Sequence, residues 1–292
     1  MIITNLIGGL GNQMFQYAAG RALSLSKSVE IRLRLRDFTG YKVHNGFELD
    51  RVFGISAQAA TDADLWQVLG WRALPIVLRA MRRQRFSWLR GSKFVVEPRF
   101  TCWQAMTTVP DDCYLQGYWQ SEKYFLRIAP TIRADFSFKQ PLEARNLDLA
   151  EQIDHCNAIS LHVRRGDFAV NPATLATHGL CSPDYYYQAI RYIAERVVKP
   201  VFFVFSDDIP WAKKNLAVEF HSYYVEHNRG CESYNDMRLI ALCRHQIIAN
   251  SSFSWWGAWL NPNPEKIVVA PKKWFANDND IEDLFPQGWV TL

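Results

Sequence analysis

Between residues 157 and 270, short apolar runs alternate with helical segments, and that alternation restricts the fold more than any other feature of the chain. Strands are expected at 158–163, 201–205, 246–250 and 266–270. Helices are expected near 183–197, 232–245 and 253–260. Ser182-Pro183-Asp184 supplies a helix start, with a capping hydroxyl, Pro at the first position and an acid in the first turn. The stretch between strand 158–163 and that helix reads as a long loop. A βαβα order of this kind predicts a parallel sheet covered on both faces.

The amino-terminal part begins in the same way. Strand 2–7 runs into a glycine turn and then a helix from about Asn12 to Ser26, where Met14, Tyr17, Ala18, Ala22 and Leu25 recur at helical spacing. A short strand follows around 31–35, and 60–130 is less periodic. A chain of 292 residues is comfortable as two domains of about 100–150 residues. The polar interruption at Lys139-Gln140-Pro141 divides it into 1–145 and 146–292. The expected class is α/β, with two Rossmann-like domains facing a cleft.

Composition excludes several classes. Apolar residues make up 49%, enough for real cores, and the net charge of +4 is too mild to suggest nucleic acid. RNA-binding signatures are also absent. The six cysteines show no CxxC pair and no zinc spacing, which favours thiols in a reducing cytosol over a disulfide framework. Residues 1–7 are apolar but lack basic flanks and a cleavage site, and no run of about 18 apolar residues occurs. A cytoplasmic location is therefore expected.

Chemistry concentrates at His162-Val163-Arg164-Arg165-Gly166-Asp167, which follows the apolar run at 158–161. Ligands of open α/β sheets sit at the carboxyl ends of strands, and guanidinium groups grip phosphate in a planar, bidentate way. Alternatively, Arg164 or Arg165 simply pairs with Asp167 as a surface salt bridge. Two further motifs accompany this one. The first runs Gly8-Gly9-Leu10-Gly11-Asn12-Gln13-Met14-Phe15-Gln16-Tyr17-Ala18, and the second Asn250-Ser251-Ser252-Phe253-Ser254-Trp255-Trp256-Gly257-Ala258. In the second, two hydroxyls meet a helix start whose N–H groups can receive an anion, with helix capping by either serine as the plainer alternative. The glycine turn is not a dinucleotide fingerprint, because the third glycine would fall at Met14; this counts against a nucleotide-dependent oxidoreductase.

In order and spacing these three segments closely resemble the bacterial and animal α-1,2-fucosyltransferase family, as do Gly117-Tyr118-Trp119-Gln120-Ser121-Glu122, His178-Gly179 and Phe205-Ser206-Asp207-Asp208. The resemblance implies the two-domain GT-B glycosyltransferase architecture, with an acceptor-side first domain and a donor-binding second domain. It implies inverting transfer of L-fucose from GDP-fucose to the 2-hydroxyl of a terminal β-galactoside. The acceptor would be an oligosaccharide or a lipid-linked glycan, as in O-antigen synthesis. By that resemblance Arg164 clamps the diphosphate beside Arg165, His162 contacts the nucleotide, Asp236 reads guanine, and Asn12 lines the donor sugar. Ser251, Ser252 and Phe253 complete the nucleotide site. Gly9 and Gly11 are expected to let the backbone approach a substrate closely.

Departure of a diphosphate needs positive charge from a metal ion or from side chains. Two Asp-x-Asp triplets exist, Asp62-Ala63-Asp64 and Asp278-Asn279-Asp280, but neither follows a buried strand. The arginines are therefore the expected electrophile, with no metal or other cofactor. Asp167 is expected to orient them. The proton acceptor stays open among Asp37, Glu48, Asp167 and His178, the leaving phosphate and a water.

One charge feature remains. Residues 65–96 carry Arg72, Arg79, Arg82, Arg83, Arg85, Arg90 and Lys93 and no acid, interleaved with Trp66, Trp71, Leu74, Ile76 and Trp88. This is either a solvated amphipathic face or a peripheral contact with the inner membrane. Pro75 argues for two short pieces.

Overall fold

The structure, a computed structural model, describes residues 1–40, 44–55, 57–216, 218–277 and 280–292; the side chain of Asp167 is also outside the description. The chain divides into Met1–Lys139 with Asp280–Leu284, and Gln140–Asn279 with Phe285–Leu292. The division lies in the expected polar interruption, slightly before 145/146. Near its end the chain also returns briefly to the first unit.

The first unit is built on five parallel strands: β1 (Ile2–Asn5), β2 (Ile31–Arg34), β3 (Gln58–Ala59), β4 (Phe94–Val96) and β5 (Cys113–Gln116), in the order β3-β2-β1-β5-β4. Helices α1 (Leu10–Ser26), α2 (Leu49–Phe53), α3 (Asp62–Leu69), α4 (Pro75–Met81) and α5 (Ala129–Asp135) accompany them. Successive strand residues point to opposite faces. Ile2 accordingly packs with Ala19, Leu23, Cys113 and Leu115, whereas Ile3 packs with Leu65, Val68, Leu78 and Met81. α1 starts at Leu10, ahead of the expected Asn12, because Gly9 occupies the N-cap position.

In the second unit, six parallel strands form the sheet: β6 (Asn157–Val163), β7 (Pro200–Ser206), β8 (Ser222–Val225), β9 (His245–Ile247), β10 (Val268–Ala270) and β11 (Val290–Thr291). Their order, β11-β10-β9-β6-β7-β8, is the doubly wound Rossmann order, with its switch point between β6 and β9. The helices are α6 (Ala144–Asp154), α7 (Gly166–Val170), α8 (Pro172–His178), α9 (Pro183–Ala194), α10 (Ile209–Asn215), α11 (Tyr234–Leu242) and α12 (Ser252–Leu260). Ile159, Leu161 and Val163 of β6 pack on Tyr185, Ala189 and Ile193 of α9, while Ala158 packs with Phe203, Phe205, Leu239 and Ile240 on the other face.

Two expectations need correction. The loop expected after β6 contains α7 and α8. α8 is capped by Asn171, whose Oδ1 accepts from the N–H groups of Ala173 and Thr174 at 3.0 and 3.3 Å, with Pro172 in its first turn. Helix α10 and strand β8 were not anticipated between 205 and 232. The expected Ser182 cap is present, with Ser182 Oγ accepting from Tyr185 N at 3.2 Å. None of the six cysteines forms a disulfide. Among the described residues, no helix is long and apolar enough to cross a membrane.

Candidate active site

The carboxyl end of β6 delivers His162, Arg164 and Arg165 beside the carboxyl end of β7. Asp207, just beyond β7, organises the pair. Its Oδ2 lies 2.7 Å from Arg164 Nη1, and its Oδ1 accepts from the Arg165 backbone N–H at 2.8 Å. Asp208 caps α10 by accepting from Trp211 N at 3.1 Å, and its other oxygen is 3.7 Å from Arg165 Nε. Each guanidinium also lies on an aromatic face, Arg164 5.1 Å from the centre of the Phe168 ring and Arg165 3.9 Å from that of Trp211. Gly166 is required here. A Cβ at 166 would collide with the Asp207 carboxylate.

His162 is buried in the same corner, 5.8 Å centre to centre from Phe253. Burial pulls its imidazole down to about 4, Asp207 opposing and Arg164 adding to the effect, so the ring is neutral at physiological pH. Its Nδ1 is buried without a hydrogen-bond partner among the described residues. Phe168 continues the cluster: its ring stacks on His178 at 4.7 Å, and His178 lies 5.7 Å from Phe275. Asn250 Nδ2 donates to the carbonyl of His178 at 2.9 Å, which ties the end of α8 to the β9–α12 turn.

Across the switch point, Ser251 takes the N-cap position of α12, with Ser252 and Phe253 in its first turn. Ser251 makes no side-chain capping bond, so its hydroxyl is not consumed by the helix. Asp236 sits in the first turn of α11 and accepts from Asn228 Nδ2 at 2.7 Å. Burial pushes its carboxyl up to about 7, against the lowering effects of Asn228 and Arg229.

Gly9, Gly11 and Asn12 form a separate constellation in the first unit, at the switch point between β1 and β5. Asn12 Oδ1 accepts from Gln120 Nε2 at 2.8 Å, which joins the turn after β1 to the turn after β5. The left-handed residue is Gly8 (φ +81°), whereas Gly9 is extended and Gly11 is already helical. Gly8 is thus the position of this turn that needs glycine for its conformation, a residue outside the expected pair Gly9 and Gly11. Beyond β5, Trp119 is buried at φ +56°. Glu97 holds that turn, its two oxygens accepting from Tyr118 N at 2.7 Å and Trp119 N at 3.0 Å. Burial pushes its carboxyl up to about 7, with the two backbone N–H groups acting in the opposite sense.

Residues 97–292 match the family model described as Glycosyl transferase family 11. The chain belongs to that family. As a family 11 glycosyltransferase it is 36% identical to the alpha-1,2-colitosyltransferase of Escherichia coli, over 100% of this chain and 99% of the relative. To the O-antigen biosynthesis glycosyltransferase WbnK of Escherichia coli it is 34% identical, over 98% and 99%. The crystal structure of fucosyltransferase NodZ from Bradyrhizobium superposes with a TM-score of 0.55 at 16% identity, covering 89% of this chain and 92% of that one. This last likeness concerns the fold.

Several family 11 residues stand differently from expectation. Asp207 and Asp208 orient the arginines, a role expected of Asp167, whose side chain lies outside the described residues. Both acids were visible in Phe205-Ser206-Asp207-Asp208, but nothing local reveals that β7 lies beside β6. Of the Asp-x-Asp triplets, Asp62 pairs with Arg34 at 3.2 Å and Asp64 closes a capping box with Thr61; Asp278 is outside the described residues. Asp37 pairs with Arg82 at 2.8 Å and Glu48 with Arg51 at 2.9 Å, so both are committed within the first unit. Among the candidate bases with described side chains, His178 alone belongs to the arginine cluster.

Proposed function

We propose that this glycosyltransferase transfers L-fucose from GDP-β-L-fucose to the 2-hydroxyl of a terminal β-galactoside, with inversion, during surface-polysaccharide assembly. The observation that carries the reading is the arginine pair, fixed by Asp207 at the Rossmann switch point and accompanied by the amino terminus of α12. In this reading the second unit holds the donor and the first serves the acceptor. As the bond from the anomeric carbon to the diphosphate lengthens, charge builds on the phosphate oxygens, and Arg164 meets it with donors already oriented. Arg165, the Ser251 and Ser252 hydroxyls and the first N–H groups of α12 share that charge. His162, neutral and buried, offers a hydrogen bond to the nucleotide without adding charge. Asp236 accepts the adjacent N1–H and 2-amino donors of guanine. His178 takes the acceptor proton. Arginines supply the positive potential, so transfer proceeds without divalent metal.

A second donor is favoured by one specific likeness, the 36% identity to an alpha-1,2-colitosyltransferase. Colitose is fucose without its 3-hydroxyl. A site that hydrogen-bonds that hydroxyl rejects the deoxy sugar strongly, whereas one that merely accommodates it does not. The test is transfer to β-galactosides in EDTA, with GDP-fucose and GDP-colitose in parallel and the product linkage read by NMR. Fucose transferred to the 2-position is the expected product. Transfer of colitose alone would reassign the donor, and activity that needs added Mn²⁺ would remove the arginine-only mechanism.

A further inference from the structure

We propose that the outer face of α3, α4 and the turns that follow them is a docking surface for an anionic lipid bilayer. The inference is independent of which sugar is transferred. The segment separates its basic residues into two groups. Arg72 Nε donates to the Leu89 carbonyl at 2.6 Å, Arg90 Nε to the Met81 carbonyl at 2.8 Å, and Arg82 pairs with Asp37. Lys93 pairs with Asp112. These four hold the segment together or fasten it to the sheet. Arg79, Arg83 and Arg85 are exposed and form no ion pair among the described residues.

Apolar side chains divide in the same way. Leu65, Val68, Leu78 and Met81 face the core beneath. Ile76 is 79% exposed, Trp88 76% and Trp66 55%, and Trp71 and Leu74 are also exposed. An inward apolar face is ordinary for a surface helix, but a second, outward one is not. Pro75 supplies the first turn of α4 and so starts the helix rather than breaking it.

The mixture identifies the occupant. Protein interfaces also favour arginine and tryptophan, but every charged residue from 65 to 96 is basic, and the two acids that open α3 are engaged, Asp62 by Arg34 and Asp64 by the Thr61 cap, so the charge offered outward has one sign, complementary to an anionic leaflet. Indole rings belong at the headgroup level of a bilayer, and each basic residue near an anionic leaflet raises partitioning roughly fivefold. Arginine beside tryptophan, on short elements broken by turns, therefore matches a lipid interface.

The experiment is flotation of the full chain with phosphatidylglycerol-containing vesicles and with phosphatidylcholine vesicles, at low and high salt. Flotation on the anionic vesicles at low salt, released by high salt, is expected. Arg79→Glu/Arg83→Glu/Arg85→Glu and Ile76→Ser/Trp88→Ser should each lower partitioning at least tenfold with unchanged melting. Brominated lipid should quench tryptophan fluorescence of the unmodified protein, a readout that does not depend on any variant. Absence of flotation at low salt, equal binding to neutral vesicles, or no response to the substitutions overturns the proposal. So does light scattering that shows a dimer dissolved by Trp88→Ser, since a second copy would then be the occupant.

Discussion

Asp207 serves both arginines at once, through the guanidinium of Arg164 and the backbone N–H of Arg165. Asp207→Asn keeps the size but replaces one acceptor with a donor facing a donor. The account predicts turnover lowered by about tenfold or more, with little change in melting, because the group is partly exposed and its partners can find water. Asp236 makes a pH prediction. Its carboxyl lies near 7, raised by burial, so it is ionised above that value and neutral below it. In the proposed role the ionised form accepts from guanine, and GDP affinity measured by calorimetry should therefore fall as pH drops through 7. Asp236→Asn should weaken binding by about 1–3 kcal/mol and flatten that dependence. Unchanged affinity and slope would show that Asp236 only serves α11.

At the level of elements, the glycine-containing turns after β5 and β6 are each held by a carboxylate. Gly166 makes room for Asp207, and Gly117 makes room for Glu97. Glu97 titrates near 7 in the folded chain against 4.5 for the ordinary side chain. A carboxyl raised by folding contributes stability that is complete below its unfolded value and is lost as pH rises through its folded one. Melting temperature should therefore decline from pH 5 to pH 8 through this group. Glu97→Gln should lower melting at every pH, since one of the two N–H groups loses its acceptor, and should reduce the slope. An unaltered slope would assign the dependence to the other carboxyls that burial raises, Asp236 and Glu48. The sequence made β1, β6, α9 and α12 legible because their signals are local: apolar runs, Ser182-Pro183 and the serine pair before an aromatic helix. The partnership of β6 with β7 was not legible, since strand order is a long-range property, and Asp207 and Asp208 were missed with it. Asn171-Pro172 was a readable helix start, overlooked within an apparent loop. The short strands β4 and β5 carry too few residues to show a period.

Considered as a whole molecule, the chain uses one device twice. Each unit has a parallel sheet with a switch point, and at each switch point two sequence motifs meet: the turns after β1 and β5 in the first unit, and those after β6 and β9 in the second. The second unit carries the cationic cluster, and its doubly wound order explains why motifs almost ninety residues apart, 162–167 and 250–258, converge on one crevice. The central claim is that Arg164, rather than a metal ion, bears the charge of the leaving diphosphate. The steady-state turnover of Arg164→Lys, measured in EDTA beside the unmodified enzyme, tests it most directly. Lysine keeps the charge but loses the planar fork, so the account predicts full activity for the unmodified enzyme and a loss of about 100-fold or more for the variant. Near-normal turnover in Arg164→Lys would contradict it.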